Sequence, residues 1–427
     1  MSSRAFLMLL GLSVPGFADL VLNSAVLDPT KFRVTEFANT GSAYSMQQLS
    51  DGSLAVLVGS SIMRFTDLNH DGLADGPGTI LYQNPGSFLT GFVKVGNYFA
   101  VGELYSATIT LLQPGATPAS TMTSAGAMFF SYGPDWLHPT AGMAARPTPG
   151  SPGSFDLVFN VGSQNNDQLS AMPVAITGLI NSSVNGDSLY KVTINETGAS
   201  PVLSGLQQIA TGIRNVAGMQ FAPNGDFFFA DNAIDGPPPL GDEPPQADEL
   251  NRILASDFGN FLPNFGYPNC YTGYRTGAPV GSGCQSPLVA FQPIANGTPL
   301  GLESEGPAEI AFSPGTFPVE FHNGIFIGFS GKGTLAANEE NAVVYYDLIS
   351  GQYLHFVENS LPGVGAPIGL LSTSDALFIS DLITGKIYQI SAKEPFVTSA
   401  EAPEPSTFAL MIAGALFLFR SAARKRG

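Results

Sequence analysis

Acidic and amide side chains are concentrated in one stretch of this chain, between Gly212 and Cys270. A short apolar strand over residues 226–230 follows an Asn-Gly turn and leads directly into them. Neighbouring carboxylates repel one another unless a cation neutralises them, and an oxygen-only ligand set without Cys or His selects calcium. The sequence therefore predicts a calcium site in this stretch, with candidate ligands Asp231, Asp235, Asp248 and Glu249.

A second acidic segment covers residues 67–75. Oxygen-bearing side chains stand at its first, third and fifth positions and a glycine at the sixth, which is the spacing of a calcium loop. The twelfth position is Gly78, so the bidentate Glu of an EF-hand is missing, and no helical pattern flanks the loop. A short calcium loop and a solvated turn both stay open; the ligands of the former would be Asp67, Asn69, Asp71 and Asp75.

Four motifs in fixed order make the central stretch similar to a known family. Gly-Ile-Arg-Asn at residues 212–215 precedes the strand, Asp-Asn follows it, and Asp-Glu-Leu-Asn and Gly-Tyr-Pro come at 248–251 and 266–268. This order resembles the glucose/sorbosone dehydrogenase family. The resemblance implies an exported six-bladed β-propeller that uses calcium and pyrroloquinoline quinone (PQQ).

The resemblance also implies roles for single residues. His138, which precedes a strand, stands where the family has the base that takes the substrate's hydroxyl proton; a structural role is the alternative. Arg214 and Asn215 fall on the family's Arg-Asn pair, where a guanidinium stabilises charge on the reduced cofactor; an arginine that fixes a loop between blades is the alternative. In the family, a glutamate and a backbone carbonyl share a calcium ion, and the corresponding residues of this chain are Glu249 and Phe265.

PQQ is acidic, and several charge-assisted contacts are needed to hold its carboxylates. The family's later blades supply basic residues for this purpose. Lys332 is the candidate for one of them in this chain, and no arginine stands near Ala366.

A repeated unit along the chain predicts the elements that must position these residues. A Gly, Asn or Asp turn is followed by an apolar strand, and most copies continue into a second strand that closes a hairpin. The copies begin near Asp51, Gly153, Asn224, Asn323 and Ser374. Helical periodicity is nearly absent outside the two terminal segments. Repeated hairpins favour an all-β propeller over residues 19–395, with a pair of β-sandwiches or a β-helix as rivals; six blades is what the resemblance implies.

The two ends of the chain predict export. Residues 1–18 carry Arg4, an apolar run and small residues before a cleavage point, the pattern of a secretory signal peptide. Residues 396–427 contain Pro-Glu-Pro, an apolar run at 408–419 and a basic end, which resembles the PEP-CTERM sorting tail of bacteria. That resemblance implies cleavage by an exosortase-type enzyme, with only transient anchoring to the membrane and delivery to the cell surface or matrix. An ordinary C-terminal anchor is the alternative.

Only two cysteines are present, Cys270 and Cys284, on either side of a Gly-rich loop. In an exported chain they predict one disulfide, which the loop-entropy description values at about 3 kcal/mol. A metal pair is the alternative, and it lacks further Cys or nearby His ligands.

Charge and missing motifs exclude several functions. Residues 19–405 hold all 34 acidic residues against 12 basic ones, a net charge near −22, so binding to nucleic acid or anionic lipid by charge is excluded. The chain contains no HExxH, phosphate-binding loop, dinucleotide fingerprint or Gly-x-Ser-x-Gly motif.

Two functions follow from the sequence. One is a calcium-dependent quinoprotein that oxidises a sugar or another alcohol and passes electrons to an external acceptor. The other is a non-catalytic calcium-binding propeller that binds surface or matrix polysaccharide or protein. Fold alone does not decide between these functions. His138 and the Arg-Asn pair favour the first, and the missing basic residues favour the second.

Overall fold

Short apolar strands alternate with Gly, Asn and Asp turns, and the protein arranges them as six antiparallel sheets around an axis. The computed structural model describes residues 20–104, 106–140, 142–198, 200–236, 245–292, 306–330, 343–358 and 365–393. The all-β, six-bladed propeller prediction is confirmed. The proposed signal peptide, the sorting tail and Lys332 lie outside the described residues.

The blades are numbered in chain order, and the strands of each run from the innermost to the outermost. Blade 1 consists of Met46–Gln48, Leu54–Val58, Ser61–Phe65 and Thr79–Gln83. Blade 2 has six strands: Leu89–Val95, Tyr98–Glu103, Thr108–Gln113, Thr123–Ser131, Val174–Gly178 and Ser182–Val184. Blade 3 consists of Met143–Pro147, Ser154–Val161, Ser188–Asn195 and Val202–Thr211.

Blade 4 consists of Val216–Phe221, Phe227–Asp231, Glu249–Ile253 and Val289–Ala290. Blade 5 consists of Pro307–Phe312, Gly324–Phe329, Val343–Asp347, Tyr353–Glu358 and the N-terminal Val21–Leu22. Blade 6 consists of Pro367–Ser372, Ala376–Asp381, Lys386–Ala392 and Phe32–Asn39. The remaining elements are a small hairpin, Tyr271–Thr272 with Pro279–Val280, and the 3-10 helices Pro29–Lys31 and Val319–Phe321.

The ring closes in blade 6, where a strand from the N-terminal part of the chain completes a sheet made by the C-terminal part. Phe32–Asn39 pairs antiparallel with Lys386–Ala392, with Val34 opposite Ile390. The innermost strands of neighbouring blades contact one another all the way round the ring. Closure of this kind leaves no long open sheet edge at the first and last blades.

Apolar clusters fill the space between each pair of neighbouring blades. Both faces of a blade are therefore buried, and successive side chains of a strand enter different clusters. In blade 4, Phe227 and Phe229 pack toward blade 3, whereas Phe228 and Ala230 pack toward blade 5. This explains why the strands are continuously apolar instead of alternating with polar residues.

The five repeated units found in the sequence are the second strands of blades 1, 3, 4, 5 and 6. The second strand of blade 2 was not identified from the sequence. The end of the propeller at which the innermost strands begin is called the top face below. Among the described residues, no helix is long and apolar enough to cross a membrane.

Candidate functional site

Polar residues at the ends of the second strands hold the loops of the top face. In blade 3, Asn160 Oδ1 accepts the Gly142 N–H at 3.0 Å. In blade 4, Asp231 accepts the N–H groups of Arg214 and Asn215, the latter at 2.7 Å. Each bond fixes the backbone just before an innermost strand, so Asp231 has a structural function whether or not it binds an ion.

His138 lies in such a loop, residues 132–142, and its ring contacts Ser163. The Nδ1 atom is 2.8 Å from Ser163 Oγ, and the His138 N–H donates to the Ser163 carbonyl. Ser163 Oγ donates its proton to the Asn165 carbonyl at 2.6 Å. Because a hydroxyl has one proton, Ser163 must accept from His138, so Nδ1 carries the hydrogen and Nε2 keeps its lone pair.

Burial and the neighbouring Arg214 charge lower the pKa of His138 to about 3. The imidazole is therefore neutral at any working pH. The partner that orients the ring is a hydroxyl, Ser163, which compensates an imidazolium less than a carboxylate would.

The loop that carries His138 is rigidly packed. The Trp136 indole N–H donates to the Gly162 carbonyl at 3.2 Å, and its ring lies 5.2 Å from that of Tyr132. Gly186 leaves the ring its space, because a Cβ there would stand 2.9 Å from Trp136. Asp135 and Asp187, on the two sides of Trp136, have φ values of 59° and 56°, which is strained backbone for residues other than glycine.

Arg214 is buried and joins two loops of the top face. Its Nε donates to the Asn166 carbonyl at 3.1 Å, and Nη2 donates to Asn166 Oδ1 and to Asp235, both at 2.6 Å. Arg214 is 2 % exposed, whereas the Asp235 side chain is 51 % exposed. The guanidinium is thus already neutralised and bonded from one side by the protein. The backbone of the adjacent Asn215 bonds Asp231 and Asn232.

Two buried carboxylates face each other in blade 4. Asp231 and Glu249 are direct register partners on neighbouring strands, and both are nearly inaccessible. Burial, and then the Asp231 charge, raise the pKa of Glu249 to about 8. Burial raises the pKa of Asp231 to about 6. The pair needs a proton or a cation to be stable at neutral pH.

Further oxygen atoms lie beside this pair. Asn251 is on the same face of its strand as Glu249, and its Oδ1 is buried without a hydrogen-bond partner. Phe265 reaches the same face, because its ring packs 4.9 Å from that of Phe229, the register partner of Asn251. A carboxylate and an amide oxygen are calcium-type ligands, so Glu249 and Asn251 fit the ion.

The other predicted calcium ligands are engaged elsewhere. Asp248 accepts the N–H groups of Ala233 at 2.7 Å and Gly306 at 2.9 Å, and Asp235 pairs with Arg214. Within the described ranges, no three His, Cys, Asp or Glu side chains form a metal-binding group. Among the predicted ligands, Asp231 and Glu249 are the two that face each other as register partners.

The acidic loop of blade 1 lies on the opposite face of the propeller. Its side chains turn back onto its own backbone: Asp67 accepts the Gly72 N–H at 2.9 Å, and Asp75 accepts the Leu68 N–H at 2.7 Å. Asn69 and Asp71 bond to each other and to the same loop. A calcium loop and a solvated turn both stay open for this segment.

The disulfide prediction is confirmed. Cys270 and Cys284 are bridged with an S–S distance of 2.04 Å, and the small hairpin at Tyr271–Thr272 and Pro279–Val280 lies inside the ring.

Sequence reasoning missed Ser163 and Asn166, and it gave Asn251 and Tyr267 only as members of motifs, without a role. The Tyr267 hydroxyl lies 2.9 and 2.8 Å from the carbonyls of Asn165 and Gln168, which fixes the loop that follows Ser163. A signal for this loop exists, because Ser-Gln-Asn-Asn directly follows the blade 3 strand at residues 163–166.

No protein-family model matches the chain, and no curated protein matches it by sequence. Solved structures do share its fold. The calcium structure of a Trichoderma reesei protein of Carbohydrate-Active Enzymes Family AA12 aligns with a TM-score of 0.57 and 15 % identity, over 89 % of this chain and 98 % of that chain. The holo PQQ domain of pyranose dehydrogenase from Coprinopsis cinerea aligns with a TM-score of 0.56 and 14 % identity, over 88 % and 98 %. The PQQ-bound aldose sugar dehydrogenase of Streptomyces coelicolor aligns with a TM-score of 0.50 and 15 % identity, over 85 % and 99 %.

Proposed function

We propose that the protein is an exported oxidoreductase that acts on a hydroxyl group of a sugar or another alcohol, with His138 as the general base. The observation that carries the proposal is the state of His138: a neutral ring on the top face whose Nε2 lone pair is unprotonated and whose Nδ1 is held by Ser163. The shared fold with named sugar dehydrogenases supports the choice of substrate class.

Oxidation of an alcohol removes a proton from oxygen and a hydride from carbon. His138 Nε2 takes the proton, and the Nδ1–H bond to Ser163 keeps the ring oriented. Burial and the Arg214 charge both lower the pKa of His138, so the described arrangement opposes the imidazolium that this step forms.

The hydride needs an acceptor, and PQQ is the one that the resemblance implies. A bound PQQ would supply an orthoquinone for this purpose. The described residues do not fit its carboxylates, because the cation next to His138, Arg214, is already bonded to Asp235 and Asn166. Asn215 and Lys332 are the remaining proposed contacts, and we derive no step through the cofactor.

Calcium belongs to the same proposal, at Glu249 with the Phe265 carbonyl. Its support is the pair of facing carboxylates and the unpartnered Asn251 oxygen. The ion would neutralise the pair and hold together the strand ends below Arg214.

Export, sorting by an exosortase-type enzyme and a final location at the cell surface or matrix complete the proposal. The disulfide supports export, since such bonds persist in oxidising compartments.

The test is dye reduction by the exported protein with added calcium and PQQ on a panel of aldoses and secondary alcohols. We expect His138→Ala to lose about 10²–10⁴-fold in kcat, the usual contribution of a general base. His70→Ala, in the loop on the opposite face, is the control and should keep full activity. Unchanged turnover in His138→Ala would contradict the proposed base.

A second candidate is a calcium-binding propeller that binds polysaccharide without turnover. The neutralised Arg214 favours it, because that residue is then a loop fastener instead of a cofactor ligand. Glycan-array binding without PQQ binding at micromolar concentration would support this candidate over the first.

A further inference from the structure

The disulfide closes a hairpin, residues 270–284, that packs against the segment leading into the third strand of blade 4. The Thr272 carbonyl accepts the Ala247 N–H at 2.8 Å, and Gln246 and Gly273 form an antiparallel β-bridge. The disulfide hairpin therefore lies as a short antiparallel strand beside the chain just before the two facing carboxylates of blade 4.

The hairpin also contacts one of these carboxylates directly. The Thr272 backbone N–H bonds to the Glu249 carboxylate and opposes the rise in its pKa. The N–H and C=O of one residue in an extended strand point to the same side, so the bond from Ala247 to the Thr272 carbonyl places this N–H on the same side. Glu249 is 3 % exposed. A donated N–H stabilises an ionised carboxylate, which is the form that binds a cation.

Both ends of the hairpin are attached beside the other proposed calcium contact, the Phe265 carbonyl. At the first end, the Cys270 N–H donates to the Gly266 carbonyl at 2.8 Å, and a Cβ on Gly266 would stand 2.5 Å from the Cys270 carbonyl oxygen. At the second end, the Gln285 N–H donates to the Asn264 carbonyl at 2.8 Å. The disulfide thus joins two chain ends that are attached to the residues on either side of Phe265.

We propose that the disulfide hairpin is the cover of the blade 4 ion site and that the Thr272 N–H positions the Glu249 carboxylate for calcium. This inference rests on the calcium site proposed above. The bridge restricts the conformations open to the hairpin, so the hairpin stays on residues 246 and 247 and keeps its N–H on the carboxylate. Calcium therefore binds more tightly to the disulfide-bonded protein and leaves it more slowly.

The test measures calcium affinity by calorimetric titration, and calcium release by rapid mixing with excess chelator, on the full exported chain. Glu249→Gln defines the binding that belongs to other sites. We expect the double variant Cys270→Ser with Cys284→Ser to bind calcium about tenfold more weakly and to release it faster, as for one lost bond to a charged group. Thr272→Pro keeps the disulfide and removes only the N–H, and it should show a similar loss of affinity.

Val280→Ser, at an exposed position of the same hairpin, is the matched control and should bind calcium as the parent does. An affinity equal to the parent's in Thr272→Pro would overturn the proposal, and this result decides even where the double cysteine variant fails to fold. Calcium binding that Glu249→Gln abolishes but the hairpin variants leave unchanged would keep the blade 4 site and remove the hairpin from it. Absence of Glu249-dependent binding in the parent would overturn the calcium site itself and the cover with it.

Discussion

Blades 4 and 6 end their second strands with an aspartate that has the same structural task. Asp231 accepts backbone N–H groups of residues 214 and 215, and Asp381 accepts the Gly365 N–H at 2.7 Å, in each case just before the innermost strand. The neighbouring strand differs. Glu249 stands opposite Asp231, whereas the register that pairs Ser380 with Ile387 brings Lys386 opposite Asp381.

The difference is that the blade 4 aspartate faces a second carboxylate, which needs a proton or a cation, whereas the blade 6 aspartate does not. In blade 6 the buried Lys386 stands at this register position, and its ammonium group pairs with Glu36 at 2.8 Å. In blade 4 two buried carboxylates face each other, and burial raises the pKa of Glu249 to about 8. The blade with the two facing carboxylates is also the one whose loop carries Arg214, whose charge acts on His138, so the proposed ion site and the candidate site are neighbours.

The largest effect is expected from replacing Lys386, the buried cation of blade 6. Lys386→Met should destabilise the protein by about 3 kcal/mol, because it removes the nearly buried ammonium group that pairs with Glu36 beside Asp381. Urea unfolding in calcium measures the loss. Lys191→Met, in the third strand of blade 3, is the control and should change stability by less than about 1 kcal/mol. A loss as small as that of the control would mean that the Lys386–Glu36 pair contributes little to stability.

The second prediction concerns removal of the proposed calcium ion from blade 4 with a chelator. A site that is filled only in the folded state adds about 2.7 kcal/mol at a hundredfold excess of calcium over Kd. A chelator should therefore lower the stability of the wild type by about that amount, and Glu249→Gln should remove most of the difference. Calorimetry with and without chelator measures it; equal chelator effects in the two proteins would remove Glu249 from the site.

Much of the fold was predictable because turns and strands are local signals. Five of the six second strands were identified from a turn and an apolar run, and the Cys270–Cys284 pairing followed from there being two cysteines. Blade 2 was missed, since its six strands interrupt the spacing. The number of blades required the three-dimensional pairing.

For the candidate site, the sequence predicted individual residues but not the contacts between them. His138 and Glu249 could be named, but their partners depend on contacts that no local pattern encodes: Ser163 lies 25 residues after His138, and the Asp231–Glu249 pair depends on strand register.

A matched pair of substitutions compares the two aspartates directly. Asp381→Asn should cost about 2 kcal/mol, because Asp381 accepts three backbone N–H groups and no carboxylate stands opposite it. Asp231→Asn should cost about 1 kcal/mol less in chelator, since it also relieves the repulsion with Glu249. Unfolding of both variants with and without calcium measures the difference; equal costs in chelator would contradict the charge imbalance.

The last prediction concerns the pH dependence of the stabilisation by calcium, which is the smallest effect when it is counted per pH unit. Burial raises the pKa of Glu249 from 4.5 to about 8 and that of Asp231 from 3.8 to about 6. Folded-state pKa values above the unfolded ones mean that the folded protein binds more protons. The calcium-free protein should therefore lose stability as the pH rises from about 4 to about 8. Calcium binds the deprotonated pair, so its stabilising effect should grow over the same range, by at most about 1.4 kcal/mol per pH unit for each displaced proton.

Urea unfolding across this range, with and without calcium, measures how stability changes with pH in each condition. Glu249→Gln is the reference and should show a weaker pH dependence in both. A calcium effect that stays constant from pH 5 to pH 8, about the window set by these pKa values, would show that the ion does not compete with protons for Glu249 and that the blade 4 carboxylates are balanced in another way.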